Sequence, residues 1–497
     1  MAQAARISLV AVRRPTLALI AAASFLLIVP LAFVLNIWQD EAYTLHTTSQ
    51  GVAFAFAQSL SFEQNAPLYF VLLTLWRHVS ESIFFLRLFS VLCAGLTLLM
   101  VPGIARRYVP HANAGLVMIA IAWNPFFVWA ALEMRPYALI ILSSSLLLVT
   151  FYDAFLAPEP KRYGALLYAV CAAAALYTQY YLAFLIAAQF IVLCVVRRGR
   201  LPAFLIGADA AAIAFAPLLT IIPGQVQNFR SPFAPPSLAR SFGTLTSIVA
   251  HYVLPLPLAH PTIVYAVLAA VLAAAVAIAF ILRPGAFSKS GDAMLPVTTV
   301  LAAGIFAAVT HAAHVQVLVR HGALLFVPAV LSVFAMLTFL RADLRSRAMT
   351  AWFCIAVAAS FAGLAQTYGH MAKPGDWPRV VAALQEHEAP GEPIAVFEAE
   401  NALPFAFYYR GPNRVVAIPA AVDFRQYDVS KFVVRSDRQL QRVMPRSKRL
   451  WLITAGECTS ADLQFGCGVL ERYVSTHYRV EYDASFYESR LRLLTPL

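Results

Sequence analysis

Apolar runs long enough to cross a bilayer as helices return along most of this 497-residue chain, and they narrow its possible folds more than any other feature. A helix needs about 20 mainly apolar residues to cross the hydrocarbon core. Runs close to that length lie near 16–36, 83–104, 111–131, 136–156, 163–179, 181–196 and 201–222, and four more lie near 261–282, 294–313, 322–340 and 348–367. The chain is 61% hydrophobic and only 12% charged, whereas about a quarter of a soluble domain is charged. The expected fold is therefore an α-helical polytopic membrane protein with about 11 transmembrane helices.

The net charge of +12 would suit a nucleic-acid partner if the cations formed one patch, but they do not. Arg6/Arg13/Arg14, Arg106/Arg107, Lys161/Arg162, Arg197/Arg198/Arg200, Arg283/Lys289 and Arg341/Arg345/Arg347 fall in every second connection between apolar runs. That alternation is the positive-inside signature, and it excludes nucleic acid as the reason for the charge. The apolar run at 67–79 is too short to span, and counting it as a span would invert the alternation. We read it as a juxtamembrane helix. The run after Arg14 is too long for a cleaved leader and reads as a retained signal anchor. The N-terminus then lies inside. The loop 37–82, the Glu133-Met134-Arg135 turn, the proline-rich loop 223–260 and everything after Tyr368 lie outside.

Past Tyr368 charges return and apolar runs shorten to strand length. The expectation is a membrane domain over 1–367 and a soluble extracytoplasmic α/β domain over 368–497, a size that can hold its own core. Asp376 reads as the N-cap of a helix with Pro378 just inside it. Strands are expected at 393–397, 415–418, 450–454 and 490–494. Of six cysteines, only Cys458 and Cys467 lie in a polar segment, and an oxidising compartment would join them.

Five groups of residues stand out chemically. Asp40 and Glu41 follow Trp38 at the end of the first apolar run, where a carboxylate at the edge of low dielectric can act as a general base. Position alone favours a solvated helix flank. Glu63, Gln64, Asn65 and Pro67 precede the short helix and would line a head-group pocket or simply a polar turn. Glu133 and Arg135 sit in an apolar turn, either as a structural ion pair or as a sugar-site acid beside a phosphate-binding guanidinium. Arg320 and His321 stand on the outer side against the charge bias, where a guanidinium suits an anionic lipid head group. His311 and His314, three apart near a helix end, are candidate metal ligands, although histidines so placed are more often packed or solvated.

In order and spacing these pieces resemble the GT-C membrane glycosyltransferases, a family that includes bacterial relatives of protein O-mannosyltransferases, aminoarabinose transferases and rhizobial galacturonosyl transferases. Asp40-Glu41-Ala42-Tyr43-Thr44 resembles the acidic pair of the family's first outer loop. Asn65-Ala66-Pro67-Leu68-Tyr69-Phe70 is similar to its His-Pro-Pro-Leu-Tyr-Tyr, and Leu86-Arg87-Leu88-Phe89-Ser90 to its Leu-Arg-Leu-Pro-Ser. Glu133-Met134-Arg135-Pro136-Tyr137 is similar to Glu-Ala-Arg-Met-Tyr, Tyr177-Thr178-Gln179-Tyr180-Tyr181 to Tyr-Thr-His-Tyr-Phe, and Arg320-His321 to the Arg-Tyr before a late span. Asp376-Trp377-Pro378-Arg379 resembles an Asp-Trp-Arg opening of the outer domain. Asn65 and Gln179 stand where histidine is common in the family.

The resemblance implies an enzyme of the GT-C fold that moves a sugar, with inversion, from a polyprenyl-phosphate-linked donor to a lipid, glycan or protein acceptor at the outer face of a bacterial inner membrane. It implies Asp40, Glu41 and Glu133 as catalytic residues, with Glu41 and Glu133 positioning the sugar or a divalent metal ion. Arg135, Arg320, Tyr137, Asn65 and Tyr69 would bind the donor's phosphate and lipid. A polytopic secondary transporter, or a non-catalytic glycan-assembly subunit that kept the fold, are the alternatives. Carboxylates gathered at one membrane edge, and no internal repeat, weigh against the transporter.

Overall fold

Lipid supplies no partners for backbone amides, so long apolar runs satisfy them internally as helices. The computed structural model describes residues 14–228, 237–256, 291–315, 317–458 and 465–497. The chain divides into two compact units, one of residues 1–32 with 65–367 and one of residues 33–64 with 368–497. The segment 33–64, which the sequence places in an outer loop of the membrane part, thus gathers with the C-terminal residues.

The first unit is helical. Among the described residues seven helices are long and apolar enough to span a membrane: Pro15–Val34, Ile83–Tyr108, Tyr137–Leu156, Arg198–Leu219, Ala293–Ala312, Val319–Leu337 and Leu344–Tyr368. Gly164–Thr178 and Leu182–Val196 are apolar but shorter, at 15 residues each. The run at 261–282 lies outside the described residues. Large apolar side chains such as Leu26, Leu99, Ile206 and Ile213 point away from the protein, as lipid-facing residues do.

The run at 111–131, expected as one span, is two helices, Ala114–Ala122 and Pro125–Leu132, bent by 59°. Proline disfavours helical geometry in the residue before it and is well suited to a first helical position. Asn124 completes the break: its side-chain oxygen accepts from the Phe126 N–H at 3.0 Å, and its amide donates to the Tyr252 carbonyl at 2.8 Å. Helices approach closely where side chains are small. A Cβ on Gly95 would lie 2.6 Å from the Phe25 ring, so the helices carrying them meet backbone to ring.

The second unit is built on a five-stranded sheet. Its strands are β1 (Ile394–Phe397), β2 (Val415–Ala417), β3 (Leu450–Ala455), β4 (Tyr478–Phe486) and β5 (Ser489–Pro496), in spatial order β2-β1-β3-β5-β4. β1 runs parallel to β2 and β3, whereas β5 is antiparallel to both β3 and β4. Both faces of the central strands are covered, and β1 and β3 are buried throughout, which explains their unbroken apolar sequences. One face packs Leu450, Leu452 and Leu470 with Phe397, while the other packs Trp451 and Ile453 with Trp377, Val380 and Leu384.

Two expectations need correction in this unit. Asp376 does not cap the helix Trp377–His387 through its side chain; it adopts a left-handed conformation (φ 45°) and its carboxylate instead binds Arg379 at 3.0 Å. β4 was not expected as a strand because Arg479, Glu481 and Asp483 interrupt its apolar residues. Those charges belong to an exposed edge, where they discourage pairing with other chains. Cys458 and Cys467 are joined, with Cα atoms 5.5 Å apart, at the start of the helix Cys467–His477.

Candidate functional site

The acidic pair lies on the nine-residue helix Gln39–Thr47 of the second unit. Both acids fall in its first turn, where the exposed amides of a helix N-terminus favour negative charge. Asp40 is 7% exposed and Glu41 fully buried, so neither is the solvated flank that position alone allows. Glu41 forms an ion pair with Lys373 at 2.9 Å, and Lys373 is itself 5% exposed. The Lys373 backbone N–H also donates to the Asn36 side chain at 2.8 Å. Further along the helix, the Tyr43 hydroxyl donates to the Glu400 carboxylate, which also accepts from Tyr427 at 3.1 Å. Burial, and then the neighbouring Glu400 charge, push the Tyr43 hydroxyl well above its ordinary pKa.

Aromatic packing completes this surround. Phe62 meets Tyr43 edge-on at 5.1 Å, and His46 stacks on Phe424 at 3.6 Å. Glu63 accepts from Thr47 at 3.0 Å. Glu400 and the buried Glu398 follow β1 at its carboxyl end, where ligands of open α/β sheets commonly bind. The Glu398 carboxylate packs against the backbone of Gly456, leaving no room there for a Cβ.

The first unit holds the remaining candidates. Glu133 closes the helix Pro125–Leu132 and is 1% exposed. Its carbonyl accepts from Ser90 at 2.6 Å, and the Ser90 oxygen lies 3.4 Å from the hydroxyl of Tyr69. Arg135 places its guanidinium 5.7 Å from the centre of the Phe70 ring, within cation–π range. Tyr137 stacks on Trp129 at 4.8 Å. The helices Leu68–Arg77 and Ile83–Tyr108 thus brace Tyr69, Glu133 and Arg135, and the helix Pro125–Leu132 braces Tyr137 through Trp129.

Arg320 is half-buried on a separate turn, Val319–Leu325. That turn is fixed by Tyr252, which donates to the Val319 carbonyl, and by Ser144, which donates to the Leu324 carbonyl at 2.7 Å. Ser144 belongs to the helix Tyr137–Phe151 that begins directly after the Glu133–Arg135 turn. Asn65 is half-buried ahead of the helix Leu68–Arg77. Glu63 and Gln64 are counted with the second unit and Asn65 with the first.

Neither set of candidate metal ligands makes a metal site among the described residues. The helix ends at Ala312, so His311 and His314 do not share a helical face, and His311 instead lies 3.2 Å from the Ser241 hydroxyl. The single group of three converging ligands there is Cys458, Cys467 and Glu471, and its cysteines are bound to each other.

Sequence reading missed Lys373, Glu400 and Tyr427. Lys373 precedes the Asp376-Trp377 motif by three residues, and a lone lysine in that otherwise polar segment carries no local signal. Only the fold brings it to Glu41.

The whole chain has counterparts among solved structures. It is similar to ArnT from Cupriavidus metallidurans bound to undecaprenyl phosphate, at 12% identity and a TM-score of 0.58, covering 97% of this chain and 98% of that one. The apo form of ArnT from Cupriavidus metallidurans gives 11% identity and a TM-score of 0.55 over 96% and 97% of the two chains. The archaeal oligosaccharyltransferase AglB from Archaeoglobus fulgidus, in complex with an inhibitory peptide and a dolichol-phosphate, gives 11% identity and a TM-score of 0.53 over 96% of this chain and 74% of that one. No protein-family model and no curated protein sequence matches the chain. At such low identity these likenesses speak for architecture, and over nearly the full length that architecture is the GT-C membrane glycosyltransferase fold.

Proposed function

We propose that this protein is a glycosyltransferase that moves a sugar from a polyprenyl-phosphate-linked donor to a hydroxyl of a lipid, glycan or protein acceptor. The carrying observation is the fold likeness along nearly the whole chain to structures that hold undecaprenyl phosphate or dolichol-phosphate.

In this reading Asp40 is the general base. The acceptor oxygen attacks the anomeric carbon as the bond from that carbon to the phosphate oxygen breaks, which inverts the configuration. The hydroxyl proton passes to Asp40, and the polyprenyl phosphate leaves with its negative charge. Asp40 suits the role better than Glu41, because a proton on Glu41 would strip the buried Lys373 of that counter-charge. Arg320 and Arg135 supply positive charge to the leaving phosphate, since a guanidinium binds phosphate through paired hydrogen bonds. Glu133 positions the sugar, and Tyr69, Tyr137 and Asn65 shape the donor site.

The protein would sit in a bacterial inner membrane with residues 368–497 outside. Purified protein in liposomes, supplied with a panel of polyprenyl-phosphate sugars and with envelope lipid or glycan acceptors, tests the activity. Transfer from at least one donor is expected, and release of polyprenyl phosphate with no donor in the panel removes the reading. For orientation, Lys431→Cys is expected to react with an impermeant thiol reagent in cells whose outer membrane is permeabilised and whose inner membrane is intact.

A further inference from the structure

Resting on that reading, we propose that Lys373 is a positioning residue for the transfer reaction: its ammonium fixes Glu41 and so sets the angle at which the helix Gln39–Thr47 presents Asp40. The contact joins two charges that are both out of solvent, Glu41 completely and Lys373 at 5% exposure, with 2.9 Å between them. Burying such a pair is costly, and replacement by apolar groups is often no worse for stability. What a buried pair supplies with more certainty is geometry, because each charge has few alternative partners in a dry interior. Here the geometry concerns the residue next to the proposed base.

The surroundings favour a built device over a chance contact. Lys373 is held at both ends, its ammonium on Glu41 and its backbone N–H on Asn36. Asn36 in turn donates to the Ile37 carbonyl at 3.1 Å, and the Ile37 N–H donates to the Tyr408 hydroxyl at 2.9 Å. The segment entering the acid helix is therefore fastened to the same residues that hold Glu41. One turn on, Tyr43 is fixed by Glu400. The helix is pinned at its entry, at Glu41 and at Tyr43, which leaves it little freedom to rotate. Asp40 lies between those pins. Misplacing a reacting group by about 1 Å costs on the order of 100-fold in rate, so loosening the pin at Glu41 should act on turnover.

The test compares wild type with Lys373→Met, Lys373→Arg, Glu41→Gln and Glu41→Gln/Lys373→Met in liposomes, with kcat and donor KM measured on the folded, monodisperse fraction of each. Lys373→Met should lower kcat by about 100-fold while donor KM stays within about threefold, because the phosphate contacts are made elsewhere. Lys373→Arg, which keeps the charge, should recover at least about tenfold of that loss. The uncharged double variant should fold as well as wild type and show a kcat no lower than Glu41→Gln alone, since Lys373 acts on Asp40 through Glu41. If folded Lys373→Met keeps wild-type kcat and only its yield falls, Lys373 is structural and the proposal is overturned. If kcat falls equally in Lys373→Met and Lys373→Arg and the double variant adds to Glu41→Gln, Lys373 acts independently of Glu41, which also overturns it. Wild type inactive with every donor in the panel removes the underlying glycosyltransferase reading, and the role of Lys373 with it.

Discussion

The two units differ in how far along the chain the contacts around their candidate residues reach. In the first unit the Glu133–Arg135 turn meets Ser90 at the Glu133 carbonyl and Phe70 at the guanidinium. In the second, Glu41 and Tyr43 are held through their side chains by Lys373, Glu400 and Tyr427, all from the far end of the chain. Removing one partner of the Glu41–Lys373 pair leaves a buried charge without that contact, which is costly. The acid helix should therefore be sensitive to single substitutions.

The largest test of that contrast is Asp40→Asn. Loss of a general base typically removes about 10²–10⁴-fold of rate, so transfer should fall near 10³-fold with folded protein retained, as read by donor turnover and size-exclusion profile. Full activity would end the role of Asp40 and the emphasis on its helix. Next in size is the disulfide, which closes a short loop at the end of β3. Replacing Cys458 and Cys467 with alanine should cost about 2–3 kcal/mol, seen by differential scanning calorimetry or by proteolysis confined to the second unit; unchanged protease resistance there would show the bridge to be dispensable.

Arg320→Ala is the sharper probe of the first unit. Its donor KM should rise about tenfold, the size of one charged hydrogen bond of roughly 1.5 kcal/mol, with kcat changed less; an unchanged KM would count against the phosphate contact. Ser90→Ala should be smallest, costing about 1 kcal/mol in thermal stability, because it removes one hydrogen bond to the Glu133 carbonyl. A loss of activity as large as that of Asp40→Asn would reverse the contrast between the units.

Much of this molecule is legible in its sequence because the relevant physics is local. A 20-residue apolar run is a helix in lipid wherever it occurs, and Trp451 within Leu450–Ala455 reads as a buried strand without knowledge of its neighbours. The Asn124-Pro125 break is legible in principle as well, since proline and its predecessor carry the signal. The misses have a common cause in tertiary context. β4 is charged because it is an edge, and only the sheet shows that it is one. Asp376 matches the residue type and spacing of a cap, yet Arg379 claims its carboxylate. Of the site, the acids and Arg320 stand out by residue type, whereas Lys373, Glu400 and Tyr427 owe their significance wholly to partners distant in sequence.

The Glu41–Lys373 contact also has a consequence in time. A ribosome adds roughly 5–20 residues per second, so the helix bearing Asp40 emerges on the order of tens of seconds before the lysine that anchors it. Throughout that interval the intervening helices are entering the membrane, and Glu41 has no Lys373 to meet. Competence then arrives late and all at once, when the tail of the chain reaches its head; a nascent or truncated product would carry the acid pair without the fastening that orients it.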